Sequence, residues 1–351
     1  MDDAPLWLNA AVFAAGAGAI WWAGTLLERY ADIIAQRTGL GHAFTGMLLL
    51  AGATSLPEVG TTATAIVLLD NPTLAVHNLL GGVALQTVVL VWADAVKGRP
   101  GALTYFSPRF VLLIQGVGLI MLLQLTVVGI TARDISTVGS VSVWLILLAL
   151  AYAGVLYLVY RYRGYPRWTP ELADDFPLDA DVSEGEVEGA AEEDERSLRT
   201  IWLLFAGLSA VVLVGGWIAA ETAEVLAEQT GLGDAFLGAT LLALATSLPE
   251  LSTTTGAVRN GRYTVAISNV FGSNGFDVSL LFLAEILYRG GTVMEHAGDT
   301  LVFVTALAAA LTCIYLWGLM ERENRTVLGV GWDSAAVLVL YAGGMVVLYF
   351  M

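Results

Sequence analysis

A polar segment, Ala-Thr-Ser-Leu-Pro-Glu, occurs twice in the chain and interrupts a long apolar run each time. The two copies end at Glu58 and Glu250. Insertion scales put the cost of Asp, Lys or Arg at the centre of a membrane helix at about 2.5–3.5 kcal/mol, so a carboxyl there needs a role that offsets its burial. The proline also removes a backbone donor and frees a carbonyl one turn earlier. Two such segments facing each other would pool carboxylate, hydroxyl and carbonyl oxygens, which are the ligands of hard cations.

The spacing within each copy places its polar groups on one helical face. Thr54 and Glu58 are four residues apart, as are Thr246 and Glu250, so each pair stacks one turn apart. Hydroxyls alone would be explained by hydrogen bonds back to the helix. That explanation fails for the two glutamates, because the interiors of the apolar runs contain no basic residue to pair with them.

A third carboxyl follows the second copy of the segment. Ser273 and Asp277 are again four residues apart and predict a polar face on the next helix. The corresponding positions after the first copy are Gly82 and Gln86. The second half therefore supplies two carboxyls to the predicted cluster, and the first half supplies only Glu58.

The composition predicts a membrane protein with many spans. Of the 351 residues 57% are hydrophobic and 14% are charged, and the mean hydropathy is +0.72. The beginning Met-Asp-Asp has no basic segment, so the first apolar run is expected to stay as a membrane helix. The formal net charge of −16, with a single lysine, suggests a salt-loving prokaryote and argues against nucleic-acid binding.

Ten apolar runs are long enough to span a bilayer, which takes roughly 20 residues each. They lie near 5–27, 42–68, 74–96, 108–130, 140–161, 199–220, 234–258, 264–288, 299–320 and 331–350. An acidic, proline-containing segment, 162–198, divides them into a first half, 1–161, and a second half, 199–351. This segment is predicted to be a solvated linker, because it cannot bury enough apolar surface to order itself. Asp94 and Glu285, at equivalent helix ends, are expected to be solvated at the membrane interface.

The two halves are repeats. Thr-Gly-Leu-Gly occurs at 38–41 and 230–233, and the offset of 192 residues carries through both polar segments. Five helices are an odd number, so the second half must enter the membrane upside down. If the N-terminus is outside, fourteen of the 16 Lys and Arg residues fall in inner loops, as the positive-inside rule requires. The prediction is an all-α polytopic membrane protein, with ten transmembrane helices as two inverted five-helix repeats, both termini outside and the linker cytoplasmic.

The paired segments in inverted halves, with a Gly-Ser-Asn helix after the second, resemble the sodium/calcium exchanger family of the cation/calcium antiporter superfamily. The resemblance covers both halves but not the linker, and it implies a cell-membrane antiporter that exchanges Ca²⁺ for Na⁺ by alternating access. It implies that Ca²⁺ is held by Thr54, Glu58, Thr246 and Glu250. It implies that Na⁺ shares the glutamates and also uses Ser55, Ser247, Ser273, Asp277 and the carbonyls of Ala51 and Ala243.

Gly82 and Gln86 depart from the pattern of this family, which usually has a serine and an asparagine or aspartate there. The departure leaves the coupling ion open between Na⁺ and H⁺, although Gln86 can still offer a carbonyl oxygen. A cation channel is a further alternative, since channels also use acidic rings and broken helices. No enzymatic motif is present, and no resident cofactor or obligate protein partner is expected; the partners are the transported ions and the lipid bilayer.

Overall fold

The structure is a computed structural model that describes residues 4–38, 52, 54–107, 109–132, 137–138, 141–162 and 196–351. Its helices are α1 (Leu6–Thr38), α2 (Leu56–Val67), α3 (Pro72–Val96), α4 (Phe110–Thr131), α5 (Val143–Tyr162), α6 (Leu198–Thr230), α7 (Asp234–Thr246), α8 (Leu248–Arg259), α9 (Tyr263–Leu287), α10 (Asp299–Glu321) and α11 (Trp332–Phe350). Two short antiparallel hairpins pair β1 (Thr137–Val138) with β2 (Val141–Ser142) and β3 (Thr326–Val327) with β4 (Val330–Gly331).

Eight of the described helices are long and apolar enough to cross a membrane. They are α1, α3, α4, α5, α6, α9, α10 and α11. Helices α7 and α8 together make one more candidate span, bent by 49° at the break between them. The prediction of an all-helical polytopic membrane protein is confirmed at this level. The predicted run 42–68 lies partly outside the described residues, which omit 39–51 and 53.

The elements recur in the same order and with matching lengths in the two halves. Helices α1 and α6 each have 33 residues, and α3 and α9 each have 25. Helices α4 and α10 have 22 and 23 residues, and α5 and α11 have 20 and 19. A hairpin precedes α5 and another precedes α11. The sequence repeat therefore has a counterpart in the order and length of the described elements.

The long helices α1 and α6 extend further than the sequence predicted. The apolar runs end near residues 27 and 220, whereas the helices end at Thr38 and Thr230. A hydropathy pattern stops where charged residues begin, but the helical backbone does not. Helix α6 ends where Gly231 adopts a left-handed conformation with φ +70° and its N–H bonds to the carbonyl of Ala227, as a C-terminal glycine favours.

The second polar segment breaks its helix at Ser247, and the first has nearly the same backbone geometry at its serine. Ser55 has φ −88° and ψ 13°, and Ser247 has φ −85° and ψ 4°. Each serine precedes a helix with proline in its first turn, where the missing N–H costs nothing because the first four N–H groups of a helix have no partner within it. The break therefore follows directly from the Ser-Leu-Pro sequence.

The long helix of each half packs on the proline of the other half. A Cβ atom placed on Gly24 of α1 would lie 2.6 Å from Cγ of Pro249, and one placed on Gly216 of α6 would lie 3.4 Å from the carbonyl oxygen of Pro57. Gly24 and Gly216 are separated by the repeat offset of 192. Small residues are needed at both crossings because the helices approach so closely.

Asp94 and Glu285 are buried, at 1% and 2% exposure, so the prediction that they are solvated was wrong. Asp94 accepts hydrogen bonds from the N–H of Gly331 at 2.6 Å and from Lys97 at 2.6 Å. Glu285 accepts from the N–H of Ser142 at 2.8 Å. Each carboxyl thus binds the hairpin of the opposite half, a long-range contact that no local pattern in the sequence indicates.

Candidate cation-binding site

Three carboxyl groups meet where the broken helices pack against the centre of the molecule. Glu58 is in the first turn of α2, Glu250 is in the first turn of α8, and Asp277 is in the middle of α9. Each is at most 1% exposed. Glu58 lies close enough to Glu250 and to Asp277 to interact electrostatically with both. The three carboxyls that the sequence placed at membrane depth therefore lie within electrostatic reach of one another, although among the described residues no three acidic, His or Cys side chains stand close enough to hold one metal ion together.

Glu58 also meets a hydroxyl from the opposite half. The Thr246 side chain lies beside the Glu58 carboxyl group, while its own proton is directed to the carbonyl oxygen of Ala243 at 3.2 Å. Neither oxygen of Glu58 receives a well-directed hydrogen bond from a described residue. Buried polar atoms almost always have a partner, so these oxygens are placed to bind something other than a protein donor.

The charge of the cluster is not balanced by its own helices. Helices α2, α3, α7 and α9 contain no lysine or arginine, and α8 has only Arg259, at its last residue. Carboxylates buried close together repel each other, which favours either protonation or a bound cation. Carboxylate and hydroxyl oxygens are the ligands that hard cations such as Ca²⁺ take. The chemistry of the donor set therefore fits a hard cation.

Gln86 crosses from α3 to contact the polar face of α9. Its Nε2 donates to Oδ2 of Asp277 at 3.1 Å and lies 3.5 Å from Oγ of Ser247, and its Oε1 accepts from the Ser273 hydroxyl at 2.8 Å. The hydroxyl of Ser55 also lies beside Asp277. The carboxamide N–H of Gln86 thus faces Asp277, which is the orientation that an ionised carboxylate requires because it only accepts hydrogen bonds. This bridge was not predicted, since the sequence suggested only a carbonyl oxygen at this position.

Two asparagines that the sequence analysis did not single out fix the broken helices to their neighbours. Asn78 donates to the hydroxyl of Thr61 at 3.0 Å, and Asn269 donates to the hydroxyl of Thr253 at 3.2 Å. The two bonds are related by the repeat. Asn78 precedes Gly82 by four residues, and Asn269 precedes Ser273 by four, so the periodicity of the polar face was a signal that could have identified both.

The family model described as "Sodium/calcium exchanger protein" matches residues 8–162 and 200–350 of this chain. The chain belongs to the sodium/calcium exchanger family. Among the relatives of this exchanger is the inner membrane protein YrbG of Escherichia coli (strain K12), which is 26% identical over 323 residues, 90% of this chain and 88% of the relative. The resemblance read from the paired polar segments is thereby confirmed.

Two solved structures share the fold of the exchanger. One is described as the H⁺/Ca²⁺ exchanger CAX, with a TM-score of 0.67 at 13% identity over 97% of this chain and 85% of the other. The other is described as the sodium-calcium exchanger NCX_Mj, with a TM-score of 0.60 at 17% identity over 97% of this chain and 99% of the other. At these identities the likeness shows the fold and leaves the coupling ion open.

Most of the ligand positions predicted for the exchanger are buried, as the three carboxyls are. They are Thr54, Ser55, Gln86, Thr246, Ser247 and Ser273. The carbonyl oxygen of Ala243 accepts the N–H of Ser247 at 3.0 Å as well as the Thr246 hydroxyl. Ala51 lies outside the described residues. A Cβ atom placed on Gly82 would meet no atom within 4 Å, so the structure leaves room for a methyl group where the second half has Ser273.

Proposed function

We propose that this exchanger moves Ca²⁺ across the cell membrane against Na⁺ by alternating access. Ca²⁺ is held by Thr54, Glu58, Thr246 and Glu250. The observation that carries the proposal is the burial of Glu58 beside Glu250, Asp277 and a hydroxyl of the opposite half. Both ions are hard and use the same oxygens, so they compete for the glutamates, and this competition couples the two fluxes.

The proposed topology is ten transmembrane helices in two inverted five-helix repeats, 1–161 and 199–351, joined by the linker 162–198. Matching helix lengths and the matching backbone geometry at Ser55 and Ser247 support the repeat. The excess of basic residues in alternate loops supports placing both termini outside and the linker in the cytoplasm. A site at the interface of inverted repeats, built from broken helices, is the usual arrangement in secondary transporters.

Uptake of calcium-45 into proteoliposomes tests the function. Vesicles loaded with Na⁺ are compared with vesicles loaded with K⁺, each with and without a pH gradient. We expect uptake only with internal Na⁺. Uptake that follows the pH gradient alone would refute sodium coupling, and no uptake under either gradient would refute calcium exchange.

Glutamine substitutions test the site. Removing one partner of a buried charge contact costs about 2–5 kcal/mol, so Glu58→Gln and Glu250→Gln should each weaken Ca²⁺ binding roughly 30-fold or more. The matched control is Glu295→Gln, the same change at an exposed glutamate. Normal calcium exchange by Glu250→Gln would show that the site is wrongly assigned.

Proton coupling is the second candidate, and one observation favours it. Asp277 and Ser273 are engaged by Gln86, so fewer oxygens are left for Na⁺ than the family pattern implies. In that case calcium uptake would follow the pH gradient in K⁺-loaded vesicles. The uptake experiment separates the two candidates directly.

A further inference from the structure

We propose that the hydroxyls of Thr62 and Thr254 are two further cation ligands, one on each side of the carboxyl cluster, which contact a cation on its way into or out of the central site. The inference rests on the proposed calcium exchange by alternating access and extends it to the paths that lead to the site. On the proposed topology Thr62 lies towards the outside and Thr254 lies towards the cytoplasm.

The two threonines occupy equivalent positions in the two halves and are separated by the repeat offset of 192. Thr62 follows Glu58 by four residues, and Thr254 follows Glu250 by four. Each threonine therefore lies one turn beyond its glutamate on the same helical face. Both are 0% exposed. Because the halves are inverted in the proposed topology, α2 and α8 run in opposite directions, and the two threonines lie on opposite sides of the cluster.

The hydroxyls of Thr62 and Thr254 have no hydrogen-bond partner within the part of the chain that the structure describes. A threonine inside a helix ordinarily bonds to a carbonyl three or four residues earlier. The threonine before each of them does so, since Thr61 bonds to the carbonyl oxygen of Pro57 at 3.0 Å. In the same way Thr253 bonds to the carbonyl oxygen of Glu250 at 3.1 Å. Buried polar atoms almost always have a partner, so two unpaired hydroxyls at repeat-related positions point to a ligand from outside the protein.

Asn78 brings a second oxygen to the outer position. Its Nδ2 donates to the hydroxyl of Thr61, the residue before Thr62, at 3.0 Å. Its Oδ1 has no partner among the described residues, and the side chain is 1% exposed. Amide carbonyl oxygens are ligands of Ca²⁺, and a hydroxyl oxygen has lone pairs to offer. Helices α2 and α3 contain no lysine or arginine, so the nearby carboxylate of Glu58 favours a cation at these oxygens.

Neutral oxygens suit a step on a path better than carboxylates do. An ion has to bind favourably enough to enter and weakly enough to leave. Glu58 and Glu250 supply the strong binding at the centre. A threonine hydroxyl can replace one water of the hydration shell without holding the ion by a formal charge, so a cation that reaches Thr62 or Thr254 can still move on.

The surroundings of the two threonines differ in their exposure. Thr253 and Asn269, which share a hydrogen bond of 3.2 Å, are half-buried. Their counterparts in the first half, Thr61 and Asn78, are each 1% exposed. Polar groups at membrane depth lie against protein or beside a water-filled cavity, so the exposed part of the Thr253–Asn269 pair marks an aqueous path. Thr254 is the next residue along α8 and is the buried hydroxyl that an ion on this path would meet.

Sided uptake by the full-length protein tests the inference. Calcium-45 uptake is measured well below half-saturation, where entry limits the rate, with the gradient that drives uptake in the wild type. Right-side-out membrane vesicles report entry from the outer face, and inside-out vesicles report entry from the cytoplasmic face. Thr62→Val should slow entry roughly two- to tenfold at the outer face only, the effect of losing one oxygen contact, and Thr254→Val should do so at the cytoplasmic face only.

Equilibrium binding separates a step on the path from the central site. Calcium-45 binding to the solubilised protein should be unchanged in both valine variants, because the oxygens of the central site remain. Weaker equilibrium binding, or equal slowing at both faces, would overturn the inference. Wild-type rates at both faces in both variants would also overturn it while leaving calcium exchange intact. No calcium uptake by the wild type under either gradient would overturn the proposed function as well.

Two sets of variants serve as controls. Thr126→Val makes the same change at a buried threonine of α4 whose hydroxyl bonds to the carbonyl oxygen of Leu122 at 3.0 Å, and it should match the wild type at both faces. Thr62→Ser and Thr254→Ser keep the oxygen and should retain wild-type rates, whereas the corresponding alanine variants should not. The serine and alanine pairs decide the matter if a valine variant does not fold, and equal rates within each pair would overturn the inference.

Discussion

The backbones of α3 and α7 approach closely at Gly81, which provides a sharp test of the packing around the site. A Cβ on Gly81 would lie 2.6 Å from the carbonyl oxygen and 2.8 Å from the carbonyl carbon of Ala239, and closer still to its Cα. An ordinary contact begins at 3.4 Å, so the two helices must separate by about 1 Å. The neighbouring Gly82 has no atom within 4 Å of its Cβ position, which makes it a matched control.

The free energies of unfolding of Gly81→Ala and Gly82→Ala are expected to differ only by the steric strain at Gly81. Both changes put alanine into a helix, so the propensity gain of about 1 kcal/mol is common to both and cancels. Overpacking a well-packed contact costs about 1–3 kcal/mol. Gly81→Ala should therefore unfold at a midpoint roughly 2–10 °C below that of Gly82→Ala. It should also bind Ca²⁺ more weakly, because α7 carries Thr246.

Thermal unfolding of the solubilised proteins, followed by the loss of monodisperse protein in size-exclusion chromatography, measures the midpoints. Calcium-45 binding to the same samples measures the affinity of the site for Ca²⁺. Equal midpoints for Gly81→Ala and Gly82→Ala would refute the packing argument. A midpoint for Gly82→Ala below that of Gly81→Ala would contradict the finding that the space beside Gly82 is open.

Two further predictions concern the buried ion pair of Asp94 and the crossing of α1 over Pro249. Asp94→Asn leaves the buried ammonium of Lys97 without its carboxylate and should destabilise the protein by about 3–5 kcal/mol in the same unfolding assay. The double variant Asp94→Asn, Lys97→Met should recover part of this stability, and no recovery would contradict the charge argument. Gly24→Ala inserts a methyl group against Pro249 and should slow calcium uptake. Gly18→Ala, at a position with open space, should take up calcium at the wild-type rate. Equal uptake rates for the two variants would contradict the close crossing.

Local physical rules predicted the parts of the fold that depend on local sequence. Proline in the first turn fixes the starts of α2 and α8 just after Ser55 and Ser247, and apolar length fixes most of the spans. The cost of a carboxyl in hydrocarbon singles out Glu58, Glu250 and Asp277, which lie well inside their apolar runs. These features depend on neighbours along the chain or on the membrane alone, so one sequence suffices to find them.

The features that the sequence did not reveal depend on contacts between the halves. The burial of Asp94 requires the N–H of Gly331, which lies 237 residues away. The bridge of Gln86 to Asp277 spans 191 residues. Neither contact follows from periodicity or composition, because both depend on how two distant helix faces meet. An acid near a helix end looks the same in sequence whether it faces water or a hairpin.

These contacts link the halves in a reciprocal way. Each long helix lies on the proline of the other half, and each hairpin is held by a carboxyl of the other half. Glu58 of the first half lies beside Thr246 and Glu250 of the second half, so the cluster exists only when the halves are packed together. A site built this way changes its ligand distances whenever one half moves relative to the other. On the proposed function, this geometry makes cation binding depend on the relative position of the halves, as the proposed exchange by alternating access requires.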